Sequence, residues 1–275
     1  MQIKKNNSLS IIIPILNEKN NLRGLVKRIY QNTTGLKKEI IFIDDNSEDD
    51  SISELRILKK KLSNLRYFVR LKNRDLTQSC FLGIKKSKNK NILIMDGDGQ
   101  HNPIYIKGMF NLFLKKKADF VVGTRDFREI GESLSFIRFL ASKILIFILD
   151  ITLKRKTADP MSGFFIFKKA FYKKNKKLFF GKGYKILADF IYSSKNKLKI
   201  YDYKIKFKVR KKGKSKMSFK VLIILIYFII KKIIRLSWWL KNLSIKIIES
   251  LMARPLSLDD VNHKQTGSFY LHVSS

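Results

Sequence analysis

The chain has 275 residues, 45% of them hydrophobic and 29% charged, and sets 58 Lys and Arg against 22 Asp and Glu for a formal net charge of +36. That apolar fraction supports a buried core and excludes a largely disordered chain, while 13 glycines and 4 prolines exclude collagen-like and low-complexity classes. One cysteine, Cys80, excludes an internal disulfide and a Cys-rich metal cluster, which suits a chain facing the cytoplasm.

Early lysines lead into the apolar run Ile11-Ile12-Ile13-Pro14-Ile15-Leu16, which stops at Asn17-Glu18-Lys19 instead of a small-residue cleavage site. Ser10–Leu16 therefore reads as a buried strand, and Asn20–Gln31 as a helix. Glu39–Ile43 is a second strand, stopping at Asp44-Asp45-Asn46-Ser47, and Ser51–Leu62 a helix. Tyr67–Leu71, Asn91–Met95 and Asp119–Val122 read as strands, with helices expected at Thr77–Lys86 and Ile104–Lys115. Short apolar strands alternating with helices imply βα units and a parallel sheet. Polar clusters recur at the strands' C-terminal ends, the edge where open α/β sheets bind ligands.

After Arg125 the pattern changes. Leu134–Leu153 reads as a mostly apolar helix carrying Arg138, Ser142 and Lys143. The turn Asp159-Pro160-Met161-Ser162-Gly163, a strand Phe164–Phe167, a helix Tyr184–Ser193, a strand Ile200–Val209 and a basic loop Arg210–Lys216 follow. Val221–Ile230 is an uninterrupted apolar run, too short for a lone bilayer crossing, which needs about 20 such residues. Lys220, Lys231, Lys232 and Arg235 share one third of its helical wheel and Trp238-Trp239 close it, which suits a helix lying among lipid headgroups. Packing on the protein's own core or on a partner subunit is the alternative. Ser250–Ser275 is compositionally foreign and reads as a flexible tail.

The sharpest chemical signal is Asp96-Gly97-Asp98-Gly99-Gln100-His101 directly after an apolar strand. Two carboxylates one residue apart at a strand end can converge on a hard divalent cation such as Mg²⁺ or Mn²⁺, which takes oxygen ligands and keeps positions open for phosphates. His101 fits such a cation poorly. Asp44-Asp45 is the second acidic strand end, suited to hydrogen bonds from a nucleobase or ribose. A helix N-cap is the competing use, although Asp49, Asp50 or Ser51 would serve there.

Pro14-Ile15-Leu16-Asn17-Glu18, Ile43-Asp44-Asp45-Asn46-Ser47, the Asp96–His101 turn and Gly123-Thr124-Arg125 occur in order. As a set they resemble a family 2 glycosyltransferase of the GT-A fold. Asp159-Pro160-Met161-Ser162-Gly163-Phe164-Phe165, Gly183-Tyr184-Lys185-Ile186-Leu187 and Arg210 with Lys216 resemble its polyprenol-phosphate branch, closest to dolichol-phosphate mannose synthases. The resemblance covers roughly residues 8–217. It implies an α/β fold, Rossmann-like, with a mostly parallel sheet between helices and C-terminal membrane-interface helices. Residues 1–217 would form the glycosyltransferase domain, divided into 8–128 for the nucleotide sugar and 129–217 for the acceptor. Residues 218–249 would form the membrane-associated helices, and 250–275 the tail.

By position, the resemblance implies that Pro14, Leu16, Glu18, Ile43 and Asp45 line a nucleotide pocket. Leu16 departs from the Tyr usual there. Asp96 and Gly97 would contact donor ribose and phosphate, while Asp98 and Gln100 would hold Mg²⁺ or Mn²⁺. Arg125, Arg138 and Ser142 would receive a lipid phosphate, and Arg210 and Lys216 would clamp the donor diphosphate. The implied reaction is inverting transfer of a hexose, mannose from GDP-mannose, to a polyprenyl phosphate at the cytoplasmic face of the membrane. The alternative is a UDP-glucose-type donor or a glycan acceptor in cell-envelope polysaccharide synthesis. A membrane-protein partner is compatible with the C-terminal helices.

The net charge demands an anionic counterpart, for which phosphate substrates and anionic membrane surfaces qualify. A compositional bias toward Lys, Ile and Asn also raises it. Only 13 of the 58 basic residues are Arg, the basic residues are dispersed, and no interleaved aromatic pattern or recognition helix is visible. Nucleic acid is therefore not an expected partner.

Overall fold

Ile-rich runs that bury both faces, separated by amphipathic segments, make a sheet covered by helices on each side. The computed structural model describes residues 7–71, 73–125, 156–183, 185–194 and 197–206. In chain order the elements are β1 (Ser8–Ile15), α1 (Lys19–Asn32), β2 (Lys37–Asp44), α2 (Ser51–Lys61), β3 (Leu65–Val69), α3 (Leu76–Lys86) and β4 (Asn91–Ile94). Then come α4 (Tyr105–Lys115), β5 (Phe120–Arg125), β6 (Phe165–Lys168), α5 (Lys169–Asn175) with a 3₁₀ turn at Lys176–Leu178, α6 (Ile186–Ser193) and β7 (Ile200–Ile205).

The seven strands lie in the order β3-β2-β1-β4-β6-β5-β7. β1 pairs in parallel with β2 and with β4, β2 with β3, and β5 with β7. The expectation of a mostly parallel sheet holds, with one correction to the parallel reading. β6 runs antiparallel to both its neighbours, pairing Ile94 with Phe165 and Phe120 with Phe167. The chain winds outward through β1, β2 and β3, then returns across β1 to β4. The order reverses between β1 and β4, and ligands of such sheets bind outside the C-terminal ends of the strands at that reversal.

Strand alternation sends Ile11, Ile13 and Ile15 to one face, where Leu22, Leu25, Val26 and Ile29 of α1 and Ile106, Met109, Phe110 and Phe113 of α4 cover them. Ile12 and Ile43 face the other layer, against Cys80, Phe81 and Ile84 of α3 and Phe190 of α6. Phe190 is the hub of that layer, with Phe179 stacked at 4.6 Å and Phe167 edge-on at 5.2 Å. Cys80 is buried there, and burial pushes its thiol well up, so it acts as packing.

α5 has no counterpart in the sequence reading, because a seven-residue, lysine-rich helix shows no usable period. No helix among the described residues is long and apolar enough to cross a membrane. The expected helix 134–153, the loop 210–216, the membrane-associated segment 218–249 and the tail 250–275 lie outside the described residues.

Candidate active site

At the β1–β4 reversal, the turn after β4 presents Asp96 and Asp98, both half-buried. Gly97 is required by close approach. A Cβ there would lie 2.5 Å from Cγ2 of Ile15 and 3.3 Å from the carbonyl of Pro14. Gly99 adopts φ 78°, a left-handed conformation that favours glycine. The turn is closed by the Gln100 N–H, which donates to Oδ1 of Asp98 at 3.0 Å. His101 turns inward. Its ring stacks on Phe164 at 5.2 Å, and the Asp96 N–H donates to Nδ1 at 3.3 Å. Burial, against the pull of Asp98, lowers its pKa to about 4, so the ring is neutral at pH 7.

The β1–α1 and β2–α2 loops are stitched together. Asn17, at φ 56°, donates its N–H to Ser47 Oγ at 2.8 Å and accepts from the Glu48 N–H at 2.8 Å. The Glu18 N–H donates to Ser51 Oγ at 3.1 Å, and Asn21 Nδ2 donates to the Glu18 carboxylate at 2.6 Å. Asp44 is fully buried and holds the Ser47 N–H and hydroxyl at 2.9 and 2.6 Å. Asp45 accepts from Arg70 Nε at 2.7 Å with one oxygen and from the Asp75 N–H at 2.6 Å with the other. Asp75 in turn caps α3 through the Gln78 N–H at 2.9 Å and takes the Gly183 N–H at 2.8 Å. One chain of contacts thus runs Arg70–Asp45–Asp75–Gly183, ending two residues before Lys185.

On the other side, Arg125 at the end of β5 makes a two-pronged pair with Asp159, Nε to Oδ2 at 2.6 Å and Nη2 to Oδ1 at 2.9 Å. Burial works against this guanidinium, but the hydrogen bonds and charge of Asp159, with Asp96 behind them, outweigh it and raise its pKa. Three members of the Asp159–Gly163 motif have structural tasks, Asp159 by holding Arg125. Ser162 Oγ donates to the Gly123 carbonyl at 2.7 Å and accepts from the Phe164 N–H at 3.1 Å. Gly163 leaves room for the Asp96 carboxylate, since a Cβ there would lie 2.4 Å from Oδ2. Lys185, half-buried just before α6, feels Arg125, Asp159 and Asp96; burial first and then Arg125 lower its pKa to about 8.

Asp98 and the amide oxygen of Gln100, on one turn, offer oxygen donors, which match a hard divalent cation and not a soft one. Among the described residues no group of three or more His, Cys, Asp or Glu could hold a metal by itself. The set therefore fits a cation bound jointly with substrate phosphates, which Mg²⁺ and Mn²⁺ favour.

The structure brings Pro14, Leu16, Glu18, Asp45, Asp96, Gly97, Asp98, Gln100 and Arg125 to the C-terminal edge of the sheet. One expected lining residue needs correcting. The Ile43 side chain is fully buried in the core with Ile12 and Cys80, so only its main chain borders the edge. Asp45 reaches the edge already holding Arg70 and Asp75, which the sequence reading did not foresee. Arg138, Ser142, Arg210 and Lys216 lie outside the described residues. Asp159, Asp75 and Lys185 carried no assigned role. For Asp159 and Lys185 a signal is present, since both stand inside the Asp159–Phe165 and Gly183–Leu187 motifs; Asp75 stands in no motif.

The Glycosyl transferase family 2 model matches residues 10–175. Dolichol-phosphate mannosyltransferase of Mycosarcoma maydis is 32% identical over 199 residues, covering 68% of this chain and 65% of that protein. The Saccharomyces cerevisiae protein of the same name is 32% identical over 162 residues, 57% of this chain and 59% of its own length. The chain thus spans less than two thirds of these curated relatives. Glucosyl-3-phosphoglycerate synthase from Mycobacterium tuberculosis, solved with Mn²⁺, uridine-diphosphate-glucose and phosphoglyceric acid, superposes with a TM-score of 0.62 at 15% identity. That likeness covers 83% of this chain and 79% of that one, and it concerns the fold.

Proposed function

Since the chain belongs to glycosyl transferase family 2, we propose that it transfers a hexose from a nucleotide sugar to a polyprenyl phosphate. The donor is GDP-mannose and the reaction runs at the cytoplasmic face of the membrane. The carrying observation is the pairing of an acidic turn, Asp96–Asp98 at the sheet's reversal, with a fixed guanidinium, Arg125, on β5 two strands away. The names of the matched mannosyltransferases support the acceptor and the sugar.

The chemistry follows from charge. A phosphate monoester is already anionic at neutral pH, its second pKa being about 6, so its oxygen needs no strong base to attack. His101 could not serve as one, being neutral but buried, with Nδ1 already accepting the Asp96 N–H. The attacking oxygen forms a bond to the anomeric carbon as the bond to the donor diphosphate breaks, and the nucleoside diphosphate leaves with the electron pair. Attack opposite the leaving group inverts the anomeric centre.

The residues must then hold two anions near each other and stabilise the one that departs. Asp98 and Gln100 would hold Mg²⁺ or Mn²⁺, which when bound supplies positive charge to the leaving diphosphate. Arg125, kept charged and aimed by Asp159, holds the acceptor phosphate. The family resemblance adds Arg138 and Ser142 to that phosphate, and Arg210 and Lys216 to the donor diphosphate. Glu18 and Asp45, fixed in the stitched loops, border the nucleoside.

The test is a radiolabelled donor panel (GDP-mannose, UDP-glucose, UDP-galacturonate) offered to the full chain with polyprenyl phosphate, with and without EDTA. Label should enter the lipid fraction from GDP-mannose, and EDTA should abolish it. Label passing only to a soluble glycan would overturn the acceptor, and transfer only from UDP-sugars would overturn the donor.

A further inference from the structure

The end of the sheet opposite the acidic edge carries a concavity. It lies at the N-terminal end of β4 and encloses about 810 Å³, within the roughly 300–1,000 Å³ usual for small-ligand sites. Its walls come from the α3–β4 connection, the end of α4 and the junction of β6 with α5. Lys88, Lys90, Lys117, Lys168, Lys169 and Lys173 line it, six of eleven lining residues, and none of the eleven is acidic. Lysine makes up 45 of the 275 residues, about one in six, so composition alone would supply about two.

The wall is held by the fold. The Lys88 N–H donates to Glu39 Oε1 at 2.6 Å, the Lys169 N–H to the Lys90 carbonyl at 2.8 Å, and Asn91 Nδ2 to the Ser8 carbonyl at 3.0 Å. Lys117 sits at φ 47° in a closed turn, its N–H on the Leu114 carbonyl at 3.2 Å. Phe113 and Leu114 give the cavity an apolar wall.

Two neighbouring carboxylates are already engaged. Glu39 holds the Ser10 hydroxyl, the Lys88 N–H and Arg66, while Asp119 pairs with Lys168 at 3.6 Å and takes the Lys199 N–H. The ammonium groups of Lys88, Lys90, Lys117 and Lys173 make no hydrogen bond or ion pair with a described residue. Lys169 is pushed toward deprotonation by burial and then by Lys173. Apart from Lys168, which Asp119 pairs, like charges are thus gathered in a hollow whose lining carries no carboxylate, an arrangement that a bound anion would relieve.

We propose that this cavity is a second anion site, which takes a small molecule bearing two or more phosphate groups. Lysines are point-charge phosphate ligands, and several around one hollow favour a multiply charged anion over a single phosphate. The hollow's concavity favours a small molecule over a lipid plane, and its apolar wall can receive an attached base.

Lysine acetylation of the full chain, read by mass spectrometry with and without inorganic tripolyphosphate at matched ionic strength, tests this residue by residue. Tripolyphosphate should slow modification of Lys88, Lys90, Lys117 and Lys173 several-fold, leaving the exposed Lys27, Lys60 and Lys61 of α1 and α2 unchanged. ATP in place of tripolyphosphate should protect the same four. The triple variant Lys90→Gln, Lys117→Gln, Lys173→Gln should lose the protection at Lys88, with its circular dichroism unaltered. Equal slowing at all exposed lysines would overturn the proposal, as would protection of Lys88 that survives in the triple variant. Protection by anionic vesicles but not by tripolyphosphate would make the hollow part of a membrane face instead.

Discussion

The two ends of one sheet differ in the sign of their charge and in how that charge is held. At the C-terminal ends of β1, β2 and β4 stand Glu18, Asp44, Asp45, Asp96 and Asp98, bound into short hydrogen bonds or gathered on a single turn. At the N-terminal end of β4, lysines surround a hollow, and four of them have no partner among the described residues. In a chain with 58 bases and 22 acids, the scarce sign marks the chemistry. An acidic cluster at a strand end is informative at once, whereas a basic cluster means something only when shape and missing partners set it apart. Charges fixed in tight geometry also cost much when removed singly, and solvated ones little.

The sharpest break in this contrast is Asp98→Ala. It should lower lipid glycosylation by about two to three orders of magnitude, read as kcat/KM with polyprenyl phosphate, whereas full turnover would remove Asp98 from the reaction. Asp159→Ala comes next. It leaves the Arg125 charge without its buried partner and should destabilise the fold by about 3 kcal/mol in urea unfolding, the lower end for a buried pair because Arg125 keeps some access to water. Asp159→Asn should recover part of that loss.

Gly163→Ala drives a methyl group into the Asp96 carboxylate. Turnover should fall on the order of tenfold with little change in melting temperature, since misplacement and not unfolding is the damage.

A smaller effect concerns Lys185, whose folded pKa of about 8 lies below its ordinary 10.5. Between those values the unfolded chain holds a proton that the folded chain has released, so this residue's contribution makes stability rise with pH through that window. The rise should be on the order of 1 kcal/mol, given partial solvent screening, and absent in Lys185→Met when the two proteins' pH–stability curves are subtracted. Smallest of all, the triple lysine variant of the far cavity should change stability by less than about 0.5 kcal/mol and leave turnover alone.

The first half of the fold was legible because its signals are local. Ile11–Ile15 announces a strand, Asp96-Gly97-Asp98 announces a ligand edge, and the alternation of strand and helix gives the parallel order. What escaped depends on contacts between distant residues. Nothing near Phe165–Lys168 says that this strand enters between β4 and β5 and runs against both. Arg125 and Asp159 are 34 positions apart, so their pairing appears only once β6 brings the Asp159 loop back to β5. Asp45 stands at the edge where its strand ends, but its grip on Arg70 and Asp75 needs β3 and α3 in position. Ile43 shows the reverse case, since strand alternation turns its side chain into the core.

β6 also acts as a ruler. By wedging itself between β4 and β5 it sets the strand end that leads to Asp96 and the one that carries Arg125 two strand spacings apart, roughly 10 Å. In the proposed reaction the turn that serves the donor and the guanidinium that serves the acceptor therefore rise from different strand ends, with the Asp159–Gly163 loop that leads into β6 between them. Without the intervening strand that loop, and with it the Asp159 carboxylate that aims Arg125, would have no place beside the Asp96 turn. One reversed strand thereby delivers the anchor of the basic side to the acidic side.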